Sequence, residues 1–418
     1  LTAAFWLRAS INKNFLNADG ADGAEFLKNI DISLLCVFRA SALKISVNSE
    51  IEIKTERLVK MLSAESLGGV LLNAQHNFAW ASGGRSNGVN SSIENGACFL
   101  FVRADGKRFV LANNIEMPRI LAEEISARYF EPVEFSWQAE KASGEFVIEK
   151  AKTLVRDDKT IASDLPLSSS IRSIESLIAR CRYELTETEV ERFRGLGKDA
   201  GEALEKIFEV IQPGETEKEI ARKVKSALAV YNIEPVVTLV GADERIRQFR
   251  HPVPTANIWK KVLLIAVCAR RAGLIASLSR IACVGAIPEP LRAGTDAVAE
   301  VFARFLAATK TGAKGAEIYK IAEGAYAEKG FGDEINKHHQ GGAAGYKSRD
   351  WVAHPGSSEV VQPNQAFAWN PSITGTKAEE TVLSTANGIE YLTVSPDFPR
   401  ISTEIDGLEF FSPDILSL

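Results

Sequence analysis

The feature that most narrows the fold is an order of elements found twice in the second half of the chain: helix, turn, helix, then two β-runs. Thr186-Glu-Thr-Glu189 reads as a capping box, in which a threonine hydroxyl and a glutamate carboxylate each satisfy a free backbone N–H at a helix start. The apolar positions that follow (Val190, Phe193, Leu196, Leu204, Ile207, Phe208) keep helical spacing, with Gly195, Gly197 and Gly201 as weak points. Ile211-Gln-Pro-Gly214 ends that helix, and Thr216 to Glu219 caps another. Later a helix over Ala297 to Ala307, then Lys310-Thr-Gly312 and Glu317-Ile318, repeats the spacing. The first unit leads into Val262 to Val267, a turn at Arg271-Ala-Gly273 and Leu274 to Val284. The second leads into Gln365 to Trp369, a loop with Pro371 and Gly375, and Thr381 to Ser384. The matched positions are few, so internal duplication and chance agreement both stand. Helices plus a hairpin, twice, describe a pseudo-symmetric α+β layer around a curved sheet.

Upstream the pattern is different. Helical spacing from Thr55 leads into a short buried strand, Gly68-Gly-Val-Leu-Leu-Asn73. Ala97 to Val102 and Phe109 to Ala112 flank Ala104-Asp-Gly-Lys107, a hairpin with an Asp-Gly turn. Ile115 to Ile125 and Phe146 to Leu154 read as helices, so a smaller α/β domain is expected to end near Arg180. Residues 1–46 mix Asn, Ala, Gly and Asp around one apolar run, Ile32 to Phe38, and start Leu1-Thr2 without the order of features a secretory signal needs. They read as an irregular extension, with a docked helix as the alternative. The expected division is an extension over 1–46, a small α/β domain over 47–182 and an α+β domain over 183–418.

Charge and cysteine use exclude several function classes. With 49 basic and 54 acidic side chains among 418 residues, the chain has no basic field for nucleic acid and no polybasic strip for an anionic membrane. The longest apolar run, Val262 to Ala269, is far short of the roughly 20 residues that span a bilayer. A soluble protein is expected. Cys36, Cys98, Cys181, Cys268 and Cys283 are odd in number and widely spaced, which fits reduced thiols in a cytoplasm, and no CxxC or CxxH pair exists to hold zinc.

The region 184–400 resembles the pita-bread enzymes, namely methionine aminopeptidase, Xaa-Pro aminopeptidase, prolidase and creatinase. The smaller domain resembles the N-terminal domain of the prolidase and creatinase branch. The resemblance implies two metal ions held by an Asp on each arm of the first hairpin, a His in a GHG motif, and two Glu on the last strands. Such a bridged pair makes a hydroxide and clamps a carbonyl. In this chain Leu264-Ile-Ala266 through Ser277-Leu-Ser-Arg280 puts Ala266 and Ser277 at the Asp positions. His338-His-Gln-Gly-Gly342-Ala-Ala-Gly345 puts Gly342 at the His, and Trp369-Asn370-Pro371 puts Asn370 at the first Glu. Only the last ligand keeps its form, in Lys377-Ala-Glu379-Glu380. Metal binding needs several anionic or imidazole donors, so no dinuclear centre and no cofactor are expected.

The same resemblance implies a site. His251, in Arg250-His-Pro-Val-Pro-Thr255, stands where the family keeps a substrate-contacting or acid–base His. His339 and Glu379 join it as candidate catalytic residues, and His338, Arg349, Asn370, Lys377 and Ser277 as candidate substrate-binding residues. Only one of His338 and His339 is expected to face the site, because neighbours on a strand point to opposite sides. Arg349-Asp350, with Lys347, replaces the family's His-Glu pair and also reads as a solvated charge run. Losing carboxylates while gaining Arg349, Lys347 and Lys377 favours an anion. The favoured reading is a metal-independent, creatinase-like hydrolase of a small anionic carbon–nitrogen substrate. A catalytically inactive pseudo-peptidase that binds a peptide or protein is the alternative, and an Xaa-Pro metallo-aminopeptidase is the third. A homodimer is implied by the resemblance.

Overall fold

The computed structural model describes residues 50–156 and 159–418. The expected extension over 1–46, with Ile32 to Phe38 and Cys36, lies outside the described residues.

Helix α1 (residues 50–64) leads into β1 (Gly69–Ala74), buried throughout, and a two-turn helix α2 (Gln75–Ala81) follows directly. The Asp-Gly hairpin forms as expected: β2 (Asn95–Arg103) pairs antiparallel with β3 (Arg108–Asn113), and Gly106 takes φ 84°, the left-handed conformation that the turn requires. With β4 (Glu131–Phe135), β5 (Ile161–Ser163) and β6 (Arg172–Ser173) these strands make a six-stranded sheet in the order β4-β3-β2-β1-β5-β6. Helix α3 (Phe146–Lys152) packs Val147, Ile148 and Ala151 against Leu71, Phe101, Phe109 and Leu111 of that sheet. Residues 117–124 are helical within the stretch expected to be so. Helix α4 (Glu175–Arg182) closes this part of the chain.

Both capping boxes are present in α5 (Glu187–Ile207) and α6 (Glu217–Val230), where the Thr186 and Thr216 side chains meet the backbone of Glu189 and Glu219. Two of the glycines of α5, Gly197 and Gly201, are close-approach points and not weak ones. A Cβ on Gly197 would overlap the Leu392 carbonyl, and one on Gly201 the Val394 carbonyl, so the helix lies against the chain there. Strands β7 (Glu234–Ala242), β8 (Val262–Arg271) and β9 (Leu274–Cys283) form an antiparallel meander, turned at Ala272 and Gly273, both with positive φ.

The second unit repeats this order. Helices α7 (Glu289–Ala308) and α8 (Gly315–Glu328) are followed by the short strands β10 (Gly341–Ala344) and β11 (Trp351–Val352), then β12 (Gln365–Trp369). A small hairpin, β13 (Ser372–Ile373) with β14 (Thr376–Lys377), precedes β15 (Glu380–Thr385) and β16 (Gly388–Tyr391). These give the sheet β11-β10-β12-β15-β16. An isolated bridge joins Thr216 to Ile258 in the first unit and Lys314 to Val360 in the second, so the two units share a tie at the same place. The chain ends in β17 (Arg400–Ile405), β18 (Leu408–Pro413) and β19 (Ile415–Ser417), the last pairing parallel with β9.

The core beneath the second unit sets the site's floor. Phe305 of α7 stacks on Trp369 at 4.6 Å, Trp369 stacks on Phe367 at 5.6 Å, and the Trp369 indole donates to Thr309 Oγ1 at 3.0 Å. Burying such a ring stabilises the fold by about 1.5–3 kcal/mol beyond leaving it in water. Asn370 is the next residue, so its amide leaves this anchored strand end at a fixed place.

Candidate functional site

Strand alternation and hairpin register build the first half of the site. Cys268 pairs with Ser277 and Ala266 with Ser279, which puts all four on one face of β8–β9. The Ser277 hydroxyl donates to Cys268 Sγ at 3.2 Å, and its backbone N–H donates to Thr381 Oγ1 at 2.7 Å, joining the hairpin to β15. Arg349 comes from the turn between β10 and β11. Its Nη1 donates to Ser277 Oγ at 3.3 Å, and its Nη2 donates to Asn370 Oδ1 at 3.3 Å and to Glu379 Oε1 at 3.0 Å. Lys377 Nζ takes the other Glu379 oxygen at 2.7 Å. Burial pushes the Glu379 carboxyl up, but the Lys377 and Arg349 charges outweigh it and hold the group below its ordinary range.

Ser277, Asn370 and Glu379 therefore converge, and one guanidinium ties them together. Ala266 shares their hairpin face. Gly342 is different, because a Cβ there would overlap the Trp351 carbonyl, so the backbone at this position is shaped for glycine. The donors expected to clamp a substrate anion are spent within the protein: both Glu379 oxygens are taken by Arg349 and Lys377, and Ser277 and Asn370 accept from Arg349. One donor, Arg349 Nε, is buried without a hydrogen-bond partner among the described residues.

Three imidazoles form the second half. His251 lies in the loop between β7 and β8, where its neighbour Arg250 is pinned by Glu334 and by Thr374 Oγ1 at 3.1 Å. His338 and His339 lie between a 3-10 turn (Gly332–Lys337) and β10. Both approach His251, with ring centroids 4.9 Å away for His338 and 6.0 Å for His339. The expectation that only one would face the site fails, because this stretch belongs to no strand ladder and alternation does not govern it. His338 Nε2 is 3.1 Å from His251 Nε2, and His338 Nδ1 is 3.2 Å from Ser372 Oγ.

Burial and nearby cations keep these rings neutral. Burial, then Lys377, His339, His251 and Arg250, push His338 down to about 2. Burial, Arg349 and Lys377 push His339 down to about 4 against an opposing pull from Glu379. His251 is lowered by burial and Lys377, again opposed by Glu379. The ion trio and the imidazoles thus feel each other's charge.

A buried clamp that no sequence motif marks holds the turn carrying Arg349. Asp350 is buried, not solvated: it pairs at 2.7 Å with Arg182, whose side chain has no exposure. Arg182 also pairs with Glu175 at 3.0 Å and donates to Asn77, and Lys347 reaches Glu175 at 3.4 Å. The only signal for Arg182 was its place near the expected end of the smaller domain.

Residues 191–390 match metallopeptidase family M24. This match, over 200 of the 418 residues, supports placing that domain in the M24 pita-bread family. It is 25% identical over 234 residues to an Xaa-Pro dipeptidase of Pyrococcus furiosus, a stretch covering 53% of this chain and 66% of that enzyme, just under two thirds of its length. The prolidase from Pyrococcus horikoshii OT3 superposes with a TM-score of 0.68 at 20% identity, covering 81% of this chain and 97% of the prolidase. The N-terminal domain of FACT complex subunit SPT16 from Cicer arietinum does so with 0.66 at 11% identity, covering 84% and 97%. At such identities the structural likeness shows the pita-bread fold itself, the architecture expected from the sequence.

The family name implies metal ions, and the residues present do not fit the carboxylate-bridged pair. Of the five expected positions, Ala266 and Gly342 offer no ligand atom, Ser277 and Asn370 offer neutral oxygens, and Glu379 is held by two cations. A guanidinium among those positions opposes an incoming cation.

Proposed function

We propose that this M24 protein hydrolyses a carbon–nitrogen bond in a small, carboxylate-bearing, peptide-like substrate without a metal pair. The observation that carries this reading is Arg349 bonded to Ser277, Asn370 and Glu379, a fixed cation among the positions of the family's ligands. The reactive groups are the imidazoles beside it. With His251 Nε2–H donating to His338, and His338 Nδ1–H donating to Ser372, the His251 Nδ1 lone pair is left to act as base. His251 takes a proton from water as the water oxygen bonds to the scissile carbon, and the C=O electron pair moves onto oxygen. Collapse of the tetrahedral species breaks the C–N bond, and the proton on His251 goes to the leaving nitrogen. Lys377 and Arg349, one charge in excess of Glu379, favour the developing oxyanion and the substrate carboxylate through their field. The cytoplasmic location expected from the cysteines and the homodimer implied by the resemblance belong to the same proposal.

The test is turnover by chelator-treated protein, with chelator kept present, on Xaa-Pro dipeptides, N-acyl amino acids and guanidino or amidino acids. Hydrolysis of at least one class, lost in His251→Ala, is expected. Turnover appearing only when a divalent ion is returned would overturn the metal-free reading. A second reading, a pseudo-peptidase that binds a peptide or protein, is favoured by one observation: Glu379, the carboxylate beside the imidazoles, is fully engaged by two cations and is not left to orient a ring. No turnover, with peptide binding unchanged in His251→Ala, would establish that reading instead.

A further inference from the structure

We infer that His251, His338 and His339 form a binding site for a single divalent d-block ion of the zinc type, beside the lost metal pair and separate from it. Each ring presents one nitrogen, and these three ligand atoms lie within 4.8 Å of one another. Among the described residues this is the grouping of His, Cys, Asp and Glu that could hold an ion. The His251 and His338 Nε2 atoms are 3.1 Å apart, close to the edge of about 3.3 Å that a tetrahedron with Zn–N bonds of about 2.0–2.1 Å requires. The other ligand atoms lie within 4.8 Å, so His339 must close toward the pair for that geometry.

Two further observations fit a ligand set. His338 Nδ1 is held by Ser372 Oγ at 3.2 Å, and Ser372 is itself fixed by a 2.9 Å bond from its backbone N–H to Tyr326 Oη. A metal-bound histidine characteristically has its second ring nitrogen held in this way, which aims the first. The rings of His251 and His339 also reach solvent, leaving a fourth position open to water or an anion. Three imidazoles and no carboxylate select zinc, cobalt, nickel or copper over magnesium, calcium or manganese. Lys377 and Arg349 oppose the ion by their charge, and Glu379 offsets one of them. An anion in the fourth position would complete the balance.

The site goes beyond the hydrolase reading and restrains it. Coordination through His251 Nε2 leaves the proton on Nδ1, so an ion on the cluster removes the base and is expected to inhibit any metal-free turnover. The test is calorimetric titration of the full chain with Zn2+ alone, alongside the visible absorption of the Co2+ form. One ion per chain is expected, with a Co2+ band typical of tetrahedral nitrogen coordination and no response to Mg2+. His251→Ala, His338→Ala and His339→Ala should each weaken Zn2+ binding by about tenfold or more. Ser372→Ala should retain the site and weaken it by about 10–100-fold. Binding unchanged in the triple His→Ala protein, or no stoichiometric Zn2+ binding by the parent, would overturn the site. If Zn2+ binds as described but switches turnover on, the site stands and the metal-free hydrolase reading falls.

Discussion

The candidate site holds two clusters of opposite character. Around Arg349 every acidic and nearly every basic group is matched: Glu379 has two cations, and the guanidinium has Ser277, Asn370 and Glu379. Around His251 the three rings are neutral, partly exposed and gathered together, with one hydrogen bond joining His251 to His338. The first cluster is a structural plug and the second keeps open valences. Loss of a family's ligands therefore need not leave a hole. A long side chain entering from the adjoining turn can supply the missing positive charge, and any remaining reactivity shifts to the groups next to it.

The largest effect expected from breaking this comparison is Arg349→Ala. It leaves a buried carboxylate with one cation and strips partners from Ser277 and Asn370. We expect a loss of about 3–5 kcal/mol, read as a lower urea midpoint at an unchanged slope. Asp350→Asn tests whether the clamp on Arg182 keeps the plug in place. It weakens one of two carboxylate contacts to a buried guanidinium and should cost about 1.5–3 kcal/mol in the same assay.

The imidazole cluster differs in its pH response. A histidine whose folded pKa lies below its unfolded value binds protons first in the unfolded chain. Stability should fall as pH drops from about 6.5, through about 4 for His339 and onward toward about 2 for His338. The Glu379 carboxyl, lowered by Lys377 and Arg349, adds a further loss only below the ordinary carboxylate range. The His338→Gln, His339→Gln double variant should flatten the slope between pH 6.5 and 4 and weaken it below pH 4, where only the carboxylate contribution stays, as followed by thermal melts. An unchanged slope would mean that the two rings are not held neutral. Ser277→Ala is the smallest perturbation, about 1 kcal/mol or less, since Arg349 keeps Asn370 and Glu379.

Residues whose chemistry is local are legible in the sequence. Thr186 and Thr216 announce two helix starts, Asp105-Gly106 a hairpin, and the Ala272-Gly273 turn fixes the β8–β9 register that brings Cys268 opposite Ser277. Long-range pairing is not. Strand β19 joins β9 across more than 100 residues of sequence, and β7 lies where no alternation marks it. The site is legible as a set of positions, because the family spacing names Ser277, Asn370 and Glu379. Their state is not, since it depends on where one arginine's guanidinium goes, and that is decided by a buried Arg182–Asp350 pair 168 residues apart. His338 and His339 read as a strand pair because the 3-10 turn before them carries no sequence signal.

The claim at the centre is that Arg349 stands in for the metal ions. Anomalous diffraction at the manganese edge, from crystals grown with excess Mn2+, tests it most directly. The account predicts no anomalous peak among Ser277, Asn370 and Glu379, with Arg349 in contact with all three. One or two peaks bridged by Glu379, with the guanidinium displaced, would contradict it.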